Sequence, residues 1–129
     1  MLDLNTFKDI IFVSLGAVFG VNTRFIIYQK FRKININGHF STLVINTFSS
    51  FLLGIFISIL PKLDSLTFSS HLVLFFSIGL LGSLSTFSTF IYDLFDLFLQ
   101  LKFFRALKLF AFSFSLGIIA IALGYLLGN

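Results

Sequence analysis

The stretch LVLFFSIGLLGSLSTFSTFIY, from Leu72 to Tyr92, decides the fold. It runs 21 residues without a charge, and about 20 apolar residues in a helix are enough to span the hydrocarbon core of a bilayer. On either side of it, Phe40–Leu60 and Leu109–Asn129 are uncharged runs of the same 21-residue length. A fourth run, Ile10–Tyr28, is 19 residues long and holds one charge, Arg24, near its C-terminal end. From there a long cationic side chain reaches the headgroups. Only 11% of the residues are charged, against about 25% in soluble domains, too few to cover a water-exposed surface.

These runs predict an all-α membrane protein of four transmembrane helices, at about 8–30, 40–60, 70–96 and 102–127, forming one domain over 1–129. Pro61 is expected to stop the second helix, leaving Lys62, Asp64 and Ser65 in the loop that follows. The connections are too short for a soluble domain, so the function belongs inside the membrane. The absence of cysteine excludes disulfide and thiol chemistry. The opening Met1-Leu2-Asp3-Leu4-Asn5 has no basic stretch, so a cleaved signal peptide is not expected. The net charge of +4 comes mostly from loop Lys and Arg, which suits anionic headgroups better than nucleic acid.

The third run is uneven. Gly79-Leu-Leu-Gly82-Ser83-Leu84-Ser85-Thr86-Phe87-Ser88-Thr89-Phe90 gathers two glycines and five hydroxyl residues around mid-span. Glycine disfavours a helix interior, and Ser and Thr compete for its backbone hydrogen bonds. Two readings fit: a helix broken near its middle, whose freed carbonyls line an ion site, or a seam of small residues for close helix packing. Asn46 has the same two readings. It shares a face of the second helix with Thr42, Ser49 and Ser50, where its amide can donate to an anion or to a neighbouring helix. Phe87 and Phe90 can offer positive ring edges to an anion, or simply pack, as most of 21 phenylalanines must. Gly16, Gly20 and Arg24 share a face of the first helix, the glycines as a packing seam and Arg24 as interfacial anchor or vestibule cation. Ser113 and Gly117 form a similar small pair on the fourth. His39, His71, Asp93 and Asp96 fall near helix ends and are expected at the wet interface. No nucleophile–base pair, metal cluster or phosphate loop is present, so an enzyme is not expected.

Read in order, these pieces resemble a known family. Gly16-x₃-Gly20-x₃-Arg24-Phe25, the run Ser41–Gly54 centred on Asn46, the Gly79–Phe90 element and Leu116-Gly117-x₆-Gly124 are together similar to the small dual-topology fluoride channels of the Fluc or CrcB family. The third-helix element is the specific one. The resemblance implies an antiparallel dimer with two narrow fluoride pores in the cell inner (plasma) membrane. It implies that Asn46, Phe87 and Phe90 form the pore across the dimer, with the hydroxyls of Ser88, Thr89 and Ser113 along the ion path. Arg24 and Thr42 would belong to a vestibule. A structural sodium ion would be held by the backbone carbonyls of Gly82 and Ser85. Three positions depart from the family pattern: Ser85 replaces a Thr, Leu109 replaces a frequent Tyr, and Asp93 replaces a frequent Glu.

The function expected is passive fluoride export. A small proton-coupled multidrug-type antiporter has the same span count, but it needs an acid near mid-span, and no run contains a central Asp or Glu. A non-conducting subunit of a heterodimeric channel is the other alternative. The 1–2 and 3–4 connections carry Lys30, Arg32, Lys33, Lys102, Arg105 and Lys108, whereas the opposite side carries Lys8 and Lys62. Lys and Arg near span ends set orientation. Six against two predicts a fixed orientation, and hence a related second chain of opposite bias as partner. If the bias is incomplete, the chain inserts both ways and pairs with itself.

Overall fold

The computed structural model describes residues 3–63 and 69–129, and among them all regular structure is helical. The expected loop residues Asp64 and Ser65 lie outside the described residues. α1 runs Leu4–Lys33, α2 Gly38–Leu63 and α6 Phe103–Gly128. The third span is composite. α3, Ser69–Leu72, passes into a π-helical segment Val73–Leu81, then α4, Gly82–Leu84; Ser85 and Thr86 are extended, and α5 covers Phe87–Leu99. Four stretches, Leu4–Lys33, Gly38–Leu63, Ser69–Leu99 and Phe103–Gly128, are long and apolar enough to cross a membrane. The chain is therefore a multi-pass membrane protein.

Pro61 does not stop α2, which continues to Leu63. Proline removes one amide donor, which would have reached the Ile57 carbonyl. So close to the helix end, little of the hydrogen-bond ladder lies beyond the defect.

Two helix ends use the same device. Asn35 (φ 55°) and Leu101 (φ 57°) are left-handed. After α1, Ile36 N–H donates to Phe31 O at 3.0 Å and Asn35 N–H to Arg32 O at 3.2 Å; after α5, Lys102 N–H donates to Leu97 O at 2.9 Å and Leu101 N–H to Phe98 O at 3.0 Å. Both are Schellman closures, which satisfy terminal carbonyls and reverse the chain. A leucine in this conformation is unusual, since its Cβ crowds the following carbonyl.

Helix pairing rests on small residues, because lipid supplies no hydrophobic drive between spans. On α1, a Cβ at Gly16 would overlap the Phe75 carbonyl oxygen, and one at Gly79 would lie 2.6 Å from Val13 O. One turn on, Gly20 faces Leu80 and Ser83, and Ser83 Oγ donates to Ala17 O at 3.1 Å. α2 and α6 form the second tight pair, through Gly54 against Ile121 and Gly124 against Phe51. A thin apolar core of Ile45, Leu81 and Leu84 joins the two pairs, with Ile27, Tyr28 and Leu52 around it. Large side chains such as Phe19, Phe25, Phe112 and Ile118 point outward, as lipid contact permits.

Candidate ion pathway

The site is built around the two extended residues of the third span. Ser85 has φ −71°, ψ 151° and Thr86 φ −142°, ψ 112°. In a continuous helix the Thr86 amide would aim at the Gly82 carbonyl. Here it donates to Asn46 Oδ1 at 2.8 Å, and Asn46 Nδ2 donates back to Thr86 O at 3.2 Å. The side chain of α2 thus mimics a strand neighbour and satisfies both backbone polar groups of one residue inside the membrane, where an unpaired group is costly. This is the interhelical role for Asn46. The second N–H of the amide is left for another acceptor.

Thr86 then restarts the helix. Its hydroxyl oxygen accepts from Thr89 N–H at 3.3 Å, the usual N-cap bond. The same oxygen lies 3.2 Å from Ser88 Oγ and 3.1 Å from Thr89 Oγ1, so three hydroxyls cluster at the start of α5. Thr86 did not stand out in the sequence as a site residue. The signal was available, since a Thr three residues before another polar residue, at the point where a helix restarts, has the pattern of a cap.

The two phenylalanines differ. Phe90 is 6% exposed and stacks at 6.3 Å on Phe110, whereas Phe87 is 73% exposed. Their ring centroids are 6.1 Å apart and tilted by 45°. Phe90 is fixed within the chain, and Phe87 projects outward. Among the described residues, Ser113 on α6 has a buried hydroxyl without a hydrogen-bond partner, as do Thr47 and Ser49 on α2. Such groups are costly unless a ligand or water meets them.

Gly82 and Ser85 border a small cavity of about 120 Å³ with Ser49, Ser50 and Ser77. The two vestibule candidates lie elsewhere. Thr42 is 2% exposed, and its hydroxyl is engaged by Tyr28 OH and Gly38 O. Arg24 is partly exposed on α1, and no hydrogen bond or ion pair among the described residues joins it to Asn46.

Asp93 corrects the sequence expectation of a wet carboxylate. It is 6% exposed, and its Oδ1 lies 3.0 Å from His39 Nδ1. Among the described residues the ring nitrogen has no aligned hydrogen bond and Asp93 Oδ2 has no partner, so the contact is one of proximity. It ties the start of α2 to the face of α5 that carries Phe90, three residues earlier.

Four apolar spans, with a hydroxyl cluster beside an asparagine-held interruption in the third, define a small multi-pass membrane protein. The chain belongs to the CrcB-like family, whose model, described as CrcB-like protein, Camphor Resistance (CrcB), matches residues 11–125. A relative from Prochlorococcus marinus (strain NATL2A), Fluoride-specific ion channel FluC 2, is 58% identical over 122 residues, covering 95% of this chain and 98% of the relative.

Proposed function

We propose that the chain is a fluoride-selective passive channel that exports fluoride across the cell inner (plasma) membrane as one half of an antiparallel dimer. The observation that carries this is the 58% identity, over 95% of the chain, to a relative named as a fluoride-specific channel. The geometry supports it. Fluoride is small and strongly hydrated, so a pore must replace its water with donors. The free Asn46 N–H, the hydroxyls of Ser88, Thr89 and Ser113, and the ring edges of Phe87 and Phe90 are neutral, and release the ion as readily as they take it. Phe87, exposed in one chain, would complete the pore from a partner. Fluoride enters cells from acidic media as the neutral acid and is trapped as the ion, so passive flow outward is protective.

The third span then works as a broken helix. Its small cavity is bordered by Leu53 and Leu81 as well as by serines, and the Ser49 hydroxyl, without a partner among the described residues, lies beside Gly82 and Ser85; oxygen ligands of this kind suit a hard monovalent cation. The Gly82 and Ser85 carbonyls would hold sodium there, and the ion would supply a fixed positive charge binding the chains together.

Efflux from liposomes, recorded with a fluoride electrode, tests the function. Fluoride is expected to leave far faster than chloride; equal rates, or no flux above empty liposomes, would refute it. Exchanging sodium for N-methylglucamine is expected to loosen the dimer on size exclusion, and an indifferent dimer removes the sodium.

The charge bias favours pairing with a related chain of opposite orientation. Asn37 of the first connection and His39 at the start of α2 line one cavity with Lys102 and Arg105, so the first and third connections lie at the same end of the bundle. Cysteines introduced singly at Asn37 and at Ser65 are expected to give labelling by an impermeant thiol reagent in whole cells at Ser65 only. Labelling at both would show insertion both ways and remove the need for a second chain.

A further inference from the structure

Glycines press α1 onto the third span and α2 onto α6, and a seam runs between these two tight pairs. Along the seam lies a groove of about 280 Å³, walled by Ile27 of α1, by Val44, Ile45 and Phe48 of α2 and by Leu84 of α4, with Lys30 of α1 at its rim. We propose that this seam binds an anionic phospholipid, with one acyl chain in the groove and the phosphate on Lys30, so that the lipid joins the two helix pairs.

The lining sets the chemistry of the occupant. Among the described residues around the groove, Lys30 is the only polar one, so the complement is hydrocarbon ending in a negative charge. Ile45 and Leu84 belong to the thin core that joins the pairs, and a chain against them adds dispersion contacts to both pairs at once. The Lys30 ammonium forms no ion pair or side-chain hydrogen bond among the described residues. Arg32 and Lys33 follow it in the last turn of α1, and no acid stands between them and α2. Cations clustered at a membrane surface favour anionic headgroups.

A phospholipid has two chains, and α2 offers two grooves. Val44 and Phe48 form a ridge shared with a second groove of about 490 Å³ between α2 and α6, lined by Phe40, Phe51, Leu116 and Leu123, where Thr47 is the one polar residue described. The ridge is turned away from the ion pathway. Phe48 is two positions from Asn46, about 200° around the helix, and is 50% exposed, whereas Asn46 reaches Thr86 of the third span. A second copy docked beside Asn46 leaves the ridge to lipid.

The parent in detergent at about 0.15 M salt, where charges away from the site are screened, is titrated with phosphatidylglycerol or with phosphatidylcholine of equal chain length. Native mass spectrometry reads bound lipid and thermal unfolding reads stability. Phosphatidylglycerol is expected to be retained at one per chain and to raise the unfolding midpoint, with phosphatidylcholine held about fivefold more weakly. Lys30→Gln is expected to cost about fivefold in affinity for phosphatidylglycerol. Arg32→Gln removes the same charge from the opposite face of α1 and is expected to match the parent. Equal retention of the two lipids, or equal loss in the two variants, would overturn the proposal. Glycerol phosphate, the headgroup without chains, is expected to leave the midpoint unmoved; a shift as large as the lipid's would assign Lys30 to free phosphate and overturn it. A smaller assembly for Phe48→Ala on size exclusion would give the ridge to a second copy, with the same consequence. Neither readout needs fluoride flux, so the outcome is independent of what the chain conducts.

Discussion

Replacing Asn46 with aspartate is expected to abolish fluoride flux while the chain still folds. The Thr86 amide keeps its acceptor, because either carboxylate oxygen can take the bond now made at 2.8 Å. The donor to Thr86 O at 3.2 Å is lost, at a cost of about 1 kcal/mol for one hydrogen bond. The charge matters more. A carboxylate about 4 Å from a passing anion repels it by about 4 kcal/mol at an effective dielectric of about 20, close to a thousandfold in occupancy. Fluoride-electrode efflux reads the flux, and size exclusion confirms that the variant assembles as the parent does. An assembled variant that conducts at the parent rate would show that Asn46 lies off the path and serves only as the clamp on Thr86.

Introducing valine at Gly54 or Gly124 is expected to be the most damaging change to the fold. A Cβ at Gly124 would overlap the Phe51 carbonyl oxygen and lie 3.0 Å from Ile55 N; at Gly54 it would overlap Ile121 O and lie 2.9 Å from Tyr125 N. These are backbone atoms of the facing helix and cannot rotate away, so α2 and α6 must separate along their length. The expected loss is about 3 kcal/mol or more, the range for overpacking a tight contact. Gly38 and Gly117 are the controls. A Cβ meets nothing within 4 Å at Gly38 and only Ser50 Oγ, at 3.7 Å, at Gly117. Alanine at either is expected to stay within about 1 kcal/mol of the parent, with Gly117→Ala gaining from helix propensity. Thermal unfolding in detergent ranks the variants, and equal tolerance at all four positions would contradict the packing described.

The four spans were legible in the sequence because a bilayer demands about 20 apolar residues per crossing, and the uncharged runs meet that demand without reference to the rest of the chain. Helix ends were less legible. α1 and α2 extend into polar turns, and α2 passes through Pro61, because backbone hydrogen bonding continues where hydrophobicity no longer marks it. Asn46, the hydroxyls and the glycines stood out as polar or small residues in apolar runs, and their spacing showed which shared a face. Spacing within one helix does not show which face meets which neighbour. That Asn46 holds Thr86, forty positions away, depends on how α2 is rotated against the third span. Asp93, expected at the wet interface, is buried because α5 places it against His39 of α2. Gly16 and Gly20 were a visible seam, but only the packed bundle set them against Gly79 and Ser83. The sequence by itself determined the membrane crossings and the residues within them that lipid alone would not satisfy. The tertiary structure decided what satisfies them, since a buried amide or hydroxyl takes its partner from whichever helix lies across from it.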